Sequence, residues 1–166
     1  MVDVYRSHRP DISLLPDARA CLDELRGRVD LAIVTDGPFQ SQRAKAAALG
    51  LGEWVDSIVF TEELGPGLAK PHPASFQMIE KETGCSGPEC VYVADNPAKD
   101  FSGPRSLGWS TVRVRRQRGL HSDVDSGSDV DIELGDLWLY GEALGTPAGL
   151  VGDGAASSPI GDVRSG

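Results

Sequence analysis

The chain has 166 residues, enough for one domain with a buried core and too few for two comfortable ones. Lys plus Arg number 16 and Asp plus Glu number 25, so the net charge is −9. This negative charge argues against general binding to nucleic acid or to an anionic membrane. We find no apolar run of membrane-spanning length and no apolar leader near Met1, and we therefore expect a cytoplasmic protein. The three cysteines lack CxxC spacing, which argues against a disulfide framework or a zinc site.

The N-terminal region is predicted to contain a helix that packs through one apolar face. Residues 5–10 read as the end of an earlier helix followed by an extended linker, because a proline ends that segment. A new helix begins at Pro16, and its predicted buried face carries Ala18, Leu22 and Leu25.

Short β-prone runs and helical stretches alternate along the middle of the chain. Strands are predicted at 31–34, 57–61, 90–93 and 111–114, and helices at 40–49, from about Pro73 to 83, and after Asp100 to 107. The first of these strands is expected to be buried on both faces. Strands that alternate with helices indicate an α/β fold with a parallel sheet.

The pattern weakens after residue 114. Residues 117–131 are predicted to form a polar loop, 131–134 a last short strand and 137–144 a short helix, while 145–166 has the composition of a disordered tail. The basic cluster of Arg113, Arg115, Arg116 and Arg118 is interpreted as a solvated strand end and loop rather than as a nucleic-acid patch.

Two carboxylates follow the strand at 90–93. Asp95 stands at the end of that strand and Asp100 five residues later, so both can point into the crevice where α/β sheets bind ligands. Two oxygen ligands of this kind suit Mg²⁺, which keeps water or substrate phosphate in its other positions. The alternative is that Asp95 caps a helix and Asp100 is a solvated acid in its first turn.

Polar residues close three successive segments in the order Thr35, then Lys70 in "AKPHP", then Asp95 and Asp100 in "DNPAKD". This order resembles the haloacid dehalogenase-like (HAD) superfamily of phosphohydrolases over about residues 1–135. The resemblance implies a Rossmannoid three-layer fold with a parallel sheet. It also implies a Mg²⁺-dependent phosphatase that acts on a small phosphorylated molecule.

The resemblance assigns a role to each matching residue. Thr35, with the backbone N–H groups of Asp36 and Gly37, would bind the phosphoryl group, and Lys70 would add a positive charge. The metal ligands would be Asp95 and Asp100, as an acidic pair holds Mg²⁺ in this family. Asn96 is a candidate for supporting that pair, and Asp36 is a candidate for the substrate side.

The sequence departs from the family in one important way. The nucleophile of HAD phosphatases lies in a DxDxT motif after the first strand, and no such motif occurs among the 166 residues. We therefore interpret the chain as beginning partway through a HAD protein, with residues 1–15 as a remnant of the cap and its linker, 16–144 as a partial core and 145–166 as a tail. The strand that is missing on this interpretation is the central one, between the strands that end at Thr35 and Asp95.

Three functional hypotheses follow. The first is part of a Mg²⁺-dependent phosphohydrolase that uses an aspartyl-phosphate mechanism in the intact protein and is inactive alone. The second is a non-catalytic domain that binds phosphate or a protein. The third, a flavodoxin-like nucleotide- or signal-binding domain, is disfavoured because no Gly-rich phosphate loop follows any predicted strand.

Overall fold

The computed structural model describes residues 10–138, in which helices and strands alternate. The α-helices are α1 (Pro16–Leu25), α2 (Phe39–Ala48), α3 (Thr61–Leu64), α4 (Ala74–Thr83) and α5 (Ser102–Ser106). The strands are β1 (Ala32–Thr35), β2 (Ser57–Phe60), β3 (Val91–Ala94), β4 (Ser110–Val114) and β5 (Ile132–Leu134). Short 3₁₀ turns at Leu51–Glu53 and Gly87–Glu89 precede β2 and β3. Residues 1–9 of the predicted cap remnant and linker, most of the helix predicted at 137–144 and the tail at 145–166 lie outside the described residues.

The strands form two separate parallel sheets. One sheet pairs β1 with β2, and the other has the order β3-β4-β5. Within residues 10–138 no strand joins β1 to β3, so the sheet is interrupted where the central strand was predicted to be missing. The predicted parallel α/β fold is therefore confirmed, including its last short strand.

Two apolar clusters cover the two faces of this interrupted sheet. Beneath α4, Phe76 packs with Val34 of β1 and with Trp109 just before β4, so this cluster touches both sheets. Beneath α1, Cys21 and Leu25 pack with Val112 of β4 and with the half-buried residues Leu31 and Val91. Helices on both faces of parallel strands give the predicted three layers.

The buried face of α1 is rotated relative to the prediction. Asp17, Cys21 and Leu25 are buried, whereas Ala18 and Leu22 are only half-buried. Asp17 tolerates burial because its Oδ2 accepts hydrogen bonds from Arg116 at 2.6 Å and from the Leu137 N–H at 2.9 Å. A buried acid with two donors costs far less free energy than an unpaired one.

The first predicted strand is less buried than expected. Val34 is the one buried residue of β1, and the other three are half-buried. A strand buried on both faces normally also has neighbours on both edges, but β1 has a strand neighbour only at β2. The interruption of the sheet therefore explains the lower burial.

Arg113 corrects the interpretation of the basic cluster as solvated. Its side chain is fully buried, and its guanidinium donates hydrogen bonds to the carbonyls of His121 (2.6 Å) and Val124 (2.8 Å) and to the hydroxyl of Ser126 (2.7 Å). Its Nε also donates to the Asp95 carbonyl at 3.4 Å. The planar guanidinium can satisfy several acceptors at once, and here it fixes the polar loop after β4 against the end of β3.

Replacing Asp17 by Asn tests the contact between α1 and the C-terminal part of the sheet. Burial acts to raise the pKa of Asp17, but the donors from Arg116 and Leu137 outweigh burial and hold this pKa below its ordinary value of 3.8. A lowered pKa stabilises the fold above the unfolded-state pKa, and that stabilisation is lost as the pH falls through the folded-state pKa. We expect D17N to lower the free energy of unfolding by roughly 1–3 kcal/mol at pH 7 and by much less at pH 3.

Urea unfolding at the two pH values measures this difference. Asp23→Asn is the matched control, since Asp23 is an exposed acid of the same helix, 3.9 Å from Arg19. An equal loss for D17N at both pH values would contradict the electrostatic explanation.

Candidate active site

A buried lysine lies at the carboxyl ends of β1 and β3. The Nζ of Lys70 is 2.8 Å from Oδ1 of Asp100, and the two side chains are only 9% and 4% exposed. The same Nζ donates a hydrogen bond to the hydroxyl of Tyr92 in β3 at 3.0 Å. Oδ1 of Asp100 is buried without a hydrogen bond, so the lysine contact has the distance of an ion pair but not the alignment of a hydrogen bond.

The pKa of Lys70 shows that this lysine remains charged. Burial acts to lower its pKa, but the nearby oxygens of Tyr92 and Asp100 outweigh burial, and the pKa lies above its ordinary value. Burial, as the largest cause, raises the pKa of Tyr92, which therefore remains a neutral hydroxyl near pH 7. The site thus contains a fixed positive charge at neutral pH.

The Asp36 carboxylate accepts hydrogen bonds from three donors in different parts of the chain. Its Oδ1 accepts hydrogen bonds from the Thr61 hydroxyl at 2.8 Å and from the backbone N–H of Lys70 at 3.2 Å, while its Oδ2 is 2.8 Å from Nζ of Lys99. Burial acts to raise the pKa of Asp36, but the lysine and hydroxyl donors together hold it below the ordinary value. The Asp36 side chain therefore connects the loops around the site, and its placement favours a structural role over a substrate-side one.

Thr35 and Gly37 flank Asp36 at the end of β1. The Thr35 hydroxyl donates to Oε1 of Gln42 in α2 at 3.1 Å. Gly37 has φ +117°, and a Cβ built there would lie 2.8 Å from Nε2 of Gln42. This positive φ favours glycine, whereas the Gln42 amide is the end of a flexible side chain that could move. In the predicted phosphate-binding turn, Thr35 and Asp36 are half-buried and Gly37 is exposed.

The loop after β3 holds Asp100 beside Asn96. The Asn96 N–H donates to Oδ2 of Asp100 at 3.0 Å, and the Asp100 N–H donates to the Asn96 carbonyl at 3.0 Å. These two bonds fix Asp100 beside Asn96. Asp95, the residue before Asn96, is exposed. Asn96 supports Asp100 through its backbone, whereas its side chain accepts the N–H of Ala98 at 3.0 Å.

A family model described as haloacid dehalogenase-like hydrolase matches residues 6–108. The chain belongs to this family. The resemblance that was predicted from the motifs around Thr35, Lys70, Asp95 and Asp100 is therefore confirmed.

Among the relatives of this HAD chain are phosphatases. Phosphoserine phosphatase of Thermus thermophilus is 34% identical over 138 residues, which are 82% of this chain and 53% of that protein. Glyceraldehyde 3-phosphate phosphatase of Methanocaldococcus jannaschii is 33% identical over 75% of this chain and 56% of that protein. The chain spans about half the length of the curated relatives it matches.

The fold agrees with solved HAD structures. The crystal structure of a HAD phosphatase from Thermococcus onnurineus superposes with a TM-score of 0.68 at 28% identity, and the match covers 80% of this chain and 58% of that one. Within the described part of the chain, no helix combines the length and apolarity needed to cross a membrane.

The side chains of this HAD domain partly fit a divalent cation. The Oδ1 of Asp100 is buried without a hydrogen bond but lies 2.8 Å from the ammonium nitrogen of Lys70, and Asp95, five positions earlier in the same loop, is exposed. Residues 10–138 contain no group of three or more His, Cys, Asp or Glu side chains that could hold a metal ion. Two carboxylates still suit Mg²⁺, because this ion is commonly held by one or two acids together with water and substrate phosphate.

Four residues of the site were missed by the sequence analysis. Tyr92 and Thr61 lie within ordinary strand and helix patterns, and Lys99 and Gly103 lie in a loop and a short helix. Tyr92, Thr61 and Lys99 contact residues that are 22 to 63 positions away in sequence. A local sequence pattern cannot predict such contacts. Because side chains along a strand alternate between its two faces, the sequence of β3 could have indicated only that Tyr92 shares a face with Ala94.

Gly103 allows α5 to pack against the lysine segment. A Cβ at this position would lie 2.4 Å from the carbonyl oxygen of Pro71 and 3.0 Å from the Phe76 ring. Contacts this short with backbone atoms cannot be relieved without moving one of the two segments. The absence of a side chain at Gly103 therefore fixes the distance between α5 and the Lys70 loop.

Gly103→Ala should lower stability for this reason. We expect a loss of roughly 1–3 kcal/mol in the free energy of unfolding, measured by denaturant titration. Gly52→Ala is the matched control, since a Cβ there would meet no heavy atom within 4 Å. If both variants unfolded at the same denaturant concentration, the predicted crowding at Gly103 would be wrong.

Proposed function

We propose that this HAD chain supplies part of the active site of a Mg²⁺-dependent phosphohydrolase for a small phosphorylated molecule. The observation that carries the proposal is the buried Lys70–Asp100 pair at the carboxyl ends of β1 and β3, beside Thr35 and Asp36. Phosphatase relatives that span most of this chain support the same reaction class. The family's mechanism would use an aspartyl phosphate in the intact protein.

Lys70 would stabilise the charge that develops on a phosphoryl group in transfer. A phosphoryl group carries its charge on three equatorial oxygens, so catalysis relies on fixed donors and positive charge rather than on covalent chemistry by these residues. Asp100 and Tyr92 hold the ammonium group in place before any ligand arrives. This preorganisation avoids the cost of ordering a flexible lysine during the reaction.

Thr35 and the adjacent backbone would bind the phosphoryl oxygens as neutral donors. The Thr35 hydroxyl already donates to Gln42 and would exchange that acceptor for a phosphoryl oxygen. Gly37 keeps the turn free of a side chain, and Asp36 fixes its position through Thr61 and Lys99. In this proposal the Asp36 side chain thus positions the turn, while its backbone N–H is one of the donors.

Asp95 and Asp100 would hold the cation. A bound Mg²⁺ would supply positive charge that polarises the phosphoryl group. Asn96 supports this arrangement, because its N–H fixes the Asp100 oxygen that Lys70 does not contact.

The family's nucleophile is not supplied by this sequence. The 166 residues contain no DxDxT motif, and loss of a nucleophile costs several decades in rate. We therefore propose that the chain alone does not turn over a phosphomonoester. The same observation favours a second candidate function, a non-catalytic domain that binds phosphate or a protein.

An assay of the chain alone tests the requirement for the missing motif. With a generic phosphomonoester and Mg²⁺, we expect no release of phosphate above background, because the donors of the site lack a nucleophile. A Mg²⁺-dependent rate that disappeared in Lys70→Ala would contradict this expectation. Binding of inorganic phosphate without turnover, weakened in the same variant, would favour the second candidate.

Asp95→Asn tests the metal assignment in a longer version that contains a DxDxT segment. The substitution keeps the shape of the side chain but removes a charged ligand, and we expect at least roughly a hundredfold loss of Mg²⁺-dependent phosphatase activity. Asp125→Asn in the exposed polar loop is the matched control and should leave the activity unchanged. Full activity of D95N at the same Mg²⁺ concentration would exclude Asp95 as a ligand.

A further inference from the structure

A small cavity lies beside Asp95, at the carboxyl ends of β3 and β4. It has a volume of about 50 Å³, and its wall includes Arg113, Arg115, Arg116 and His121. This volume is larger than a single water molecule needs and suits a group of a few atoms. The proposed function gives no role to this cavity, which we call the arginine cavity.

The loop after β4 is folded around the arginine cavity. The Arg115 Nε donates a hydrogen bond to the Ser122 carbonyl at 2.7 Å, and the Gly119 N–H donates to the Arg116 carbonyl at 2.9 Å. The buried guanidinium of Arg113 also donates to main-chain carbonyls of this loop. The wall of the cavity is therefore fixed by contacts within the chain.

The arginines of the cavity are not fully matched by acids. Arg113 and Arg115 share one carboxylate, that of Glu133, whose oxygens lie 3.4 Å from each guanidinium. Arg116 has its own partner in Asp17 at 2.6 Å. Among the described residues, two carboxylates thus pair with three guanidinium groups. Because Arg113 is fully buried, an anion bound beside it would compensate a charge that is costly to bury.

Two of these arginines retain N–H groups for a ligand. The Nη2 of Arg115 and both Nε and Nη1 of Arg116 have no hydrogen-bond acceptor among residues 10–138. The two side chains are 34% and 31% exposed, so a ligand can reach them from solvent. Guanidinium groups bind carboxylate and phosphate oxygens through paired N–H donors.

Asp95 is the one acid among the described residues that line the cavity. Its carbonyl accepts a hydrogen bond from the Arg113 Nε at 3.4 Å, whereas the residue is exposed to solvent. A single exposed carboxylate opposes anion binding less than three guanidinium groups favour it. The wall of the arginine cavity is therefore positive on balance.

We propose that the arginine cavity binds a small oxyanion, either a phosphate ion or a carboxylate group, separately from the phosphoryl site at Thr35 and Lys70. The oxyanion is free in solution or is the second acidic group of a phosphorylated ligand, and the same guanidinium donors serve both. The inference does not rest on the proposed function, since it requires neither metal nor turnover. It adds ligand binding to the structural role of the loop after β4.

Titration of the full 166-residue chain with inorganic phosphate, at constant ionic strength, tests the arginine cavity. The NMR signals of the Arg115 side-chain N–H and of the Gly119 and Ser122 amides report on the cavity. The amides of Thr35 and Gly37 report on the phosphoryl site. We expect saturable shifts of the cavity signals, whether or not the phosphoryl-site signals move.

Arg115→Gln removes one guanidinium from the wall, and Arg118→Gln is the matched control. Arg118 is an exposed arginine of the same loop and does not line the cavity. We expect R115Q to weaken phosphate binding, read from the Gly119 and Ser122 amides, by at least roughly tenfold, because a charged donor is lost. R118Q should leave this affinity unchanged.

Two further variants separate this inference from other effects. Arg115→Lys keeps the charge and should bind phosphate more tightly than R115Q, which a merely structural role of Arg115 does not predict. Lys70→Ala should leave the shifts at the arginine cavity in place. If the phosphoryl site proved wrong, only the Thr35 and Gly37 signals would fail to respond.

A matched pair of alkyl phosphates identifies the source of the oxyanion. Carboxyethyl phosphate and propyl phosphate differ in a terminal carboxylate. If the oxyanion belongs to a phosphorylated ligand, carboxyethyl phosphate shifts both sets of signals with one affinity, which exceeds that of propyl phosphate and falls in R115Q. If the oxyanion is free, inorganic phosphate shifts the cavity signals and the two alkyl phosphates bind alike.

Three results would overturn the proposal. Equal shifts at Arg115 and Arg118 would show a general ionic effect at the surface. Phosphate binding that R115Q did not weaken would place the anion elsewhere. The absence of saturable shifts at Arg115, Gly119 and Ser122, with both inorganic phosphate and carboxyethyl phosphate, would exclude an oxyanion site in the arginine cavity.

Discussion

The ion pair between Asp36 and Lys99 joins two sheets that share no strand hydrogen bond. Asp36 follows β1 and Lys99 follows β3, so this 2.8 Å contact crosses the interruption in the sheet at its carboxyl end. Asp36 also accepts the N–H of Lys70, which connects the lysine segment to the same point. The relative positions of the candidate catalytic groups therefore depend on one carboxylate and its three donors.

The second constraint is the burial of Lys70. The Lys70 side chain is only 9% exposed, so its ammonium group requires a charged or hydrogen-bonding partner. Asp100 and Tyr92 are those partners. The Asp100 carboxylate therefore balances the charge of the Lys70 ammonium group at 2.8 Å, and the pair adds no net charge to the site.

Much of the fold could be predicted from local sequence. The runs of Val, Ile and Tyr that end at Thr35 and Ala94 give strands at the predicted positions, because period and composition are local properties. The rotated face of α1 could not be predicted in this way. Asp17 is buried by Arg116, 99 positions away, and a polar residue is normally assigned to the exposed face.

The candidate site also combines residues that the sequence predicts with residues that it does not. The spacing of Asp95 and Asp100 and the Lys-Pro setting of Lys70 are visible in sequence, and the structure brings Lys70 and Asp100 together. Tyr92 could not be found, since an aromatic residue in a strand usually belongs to the core, and Tyr92 does pack on Phe76 with ring centroids 4.8 Å apart. Its hydroxyl becomes part of the site only because Lys70 approaches from another segment.

The interruption of the sheet affects the stability of the molecule as well as its candidate site. Two sheets have four edges where one continuous sheet has two, and each free edge exposes main-chain groups that can pair with another chain. Apolar contact through Phe76 on one face and Cys21 on the other compensates by joining the halves without hydrogen bonds. Such contact is not directional, so it holds the halves together but does not fix their spacing. The directional interactions across the carboxyl end, Asp36 with Lys99 and with the Lys70 N–H, supply that spacing. The arrangement of the candidate site and the cohesion of the two halves consequently depend on the same few polar contacts, and a change that alters one should alter the other.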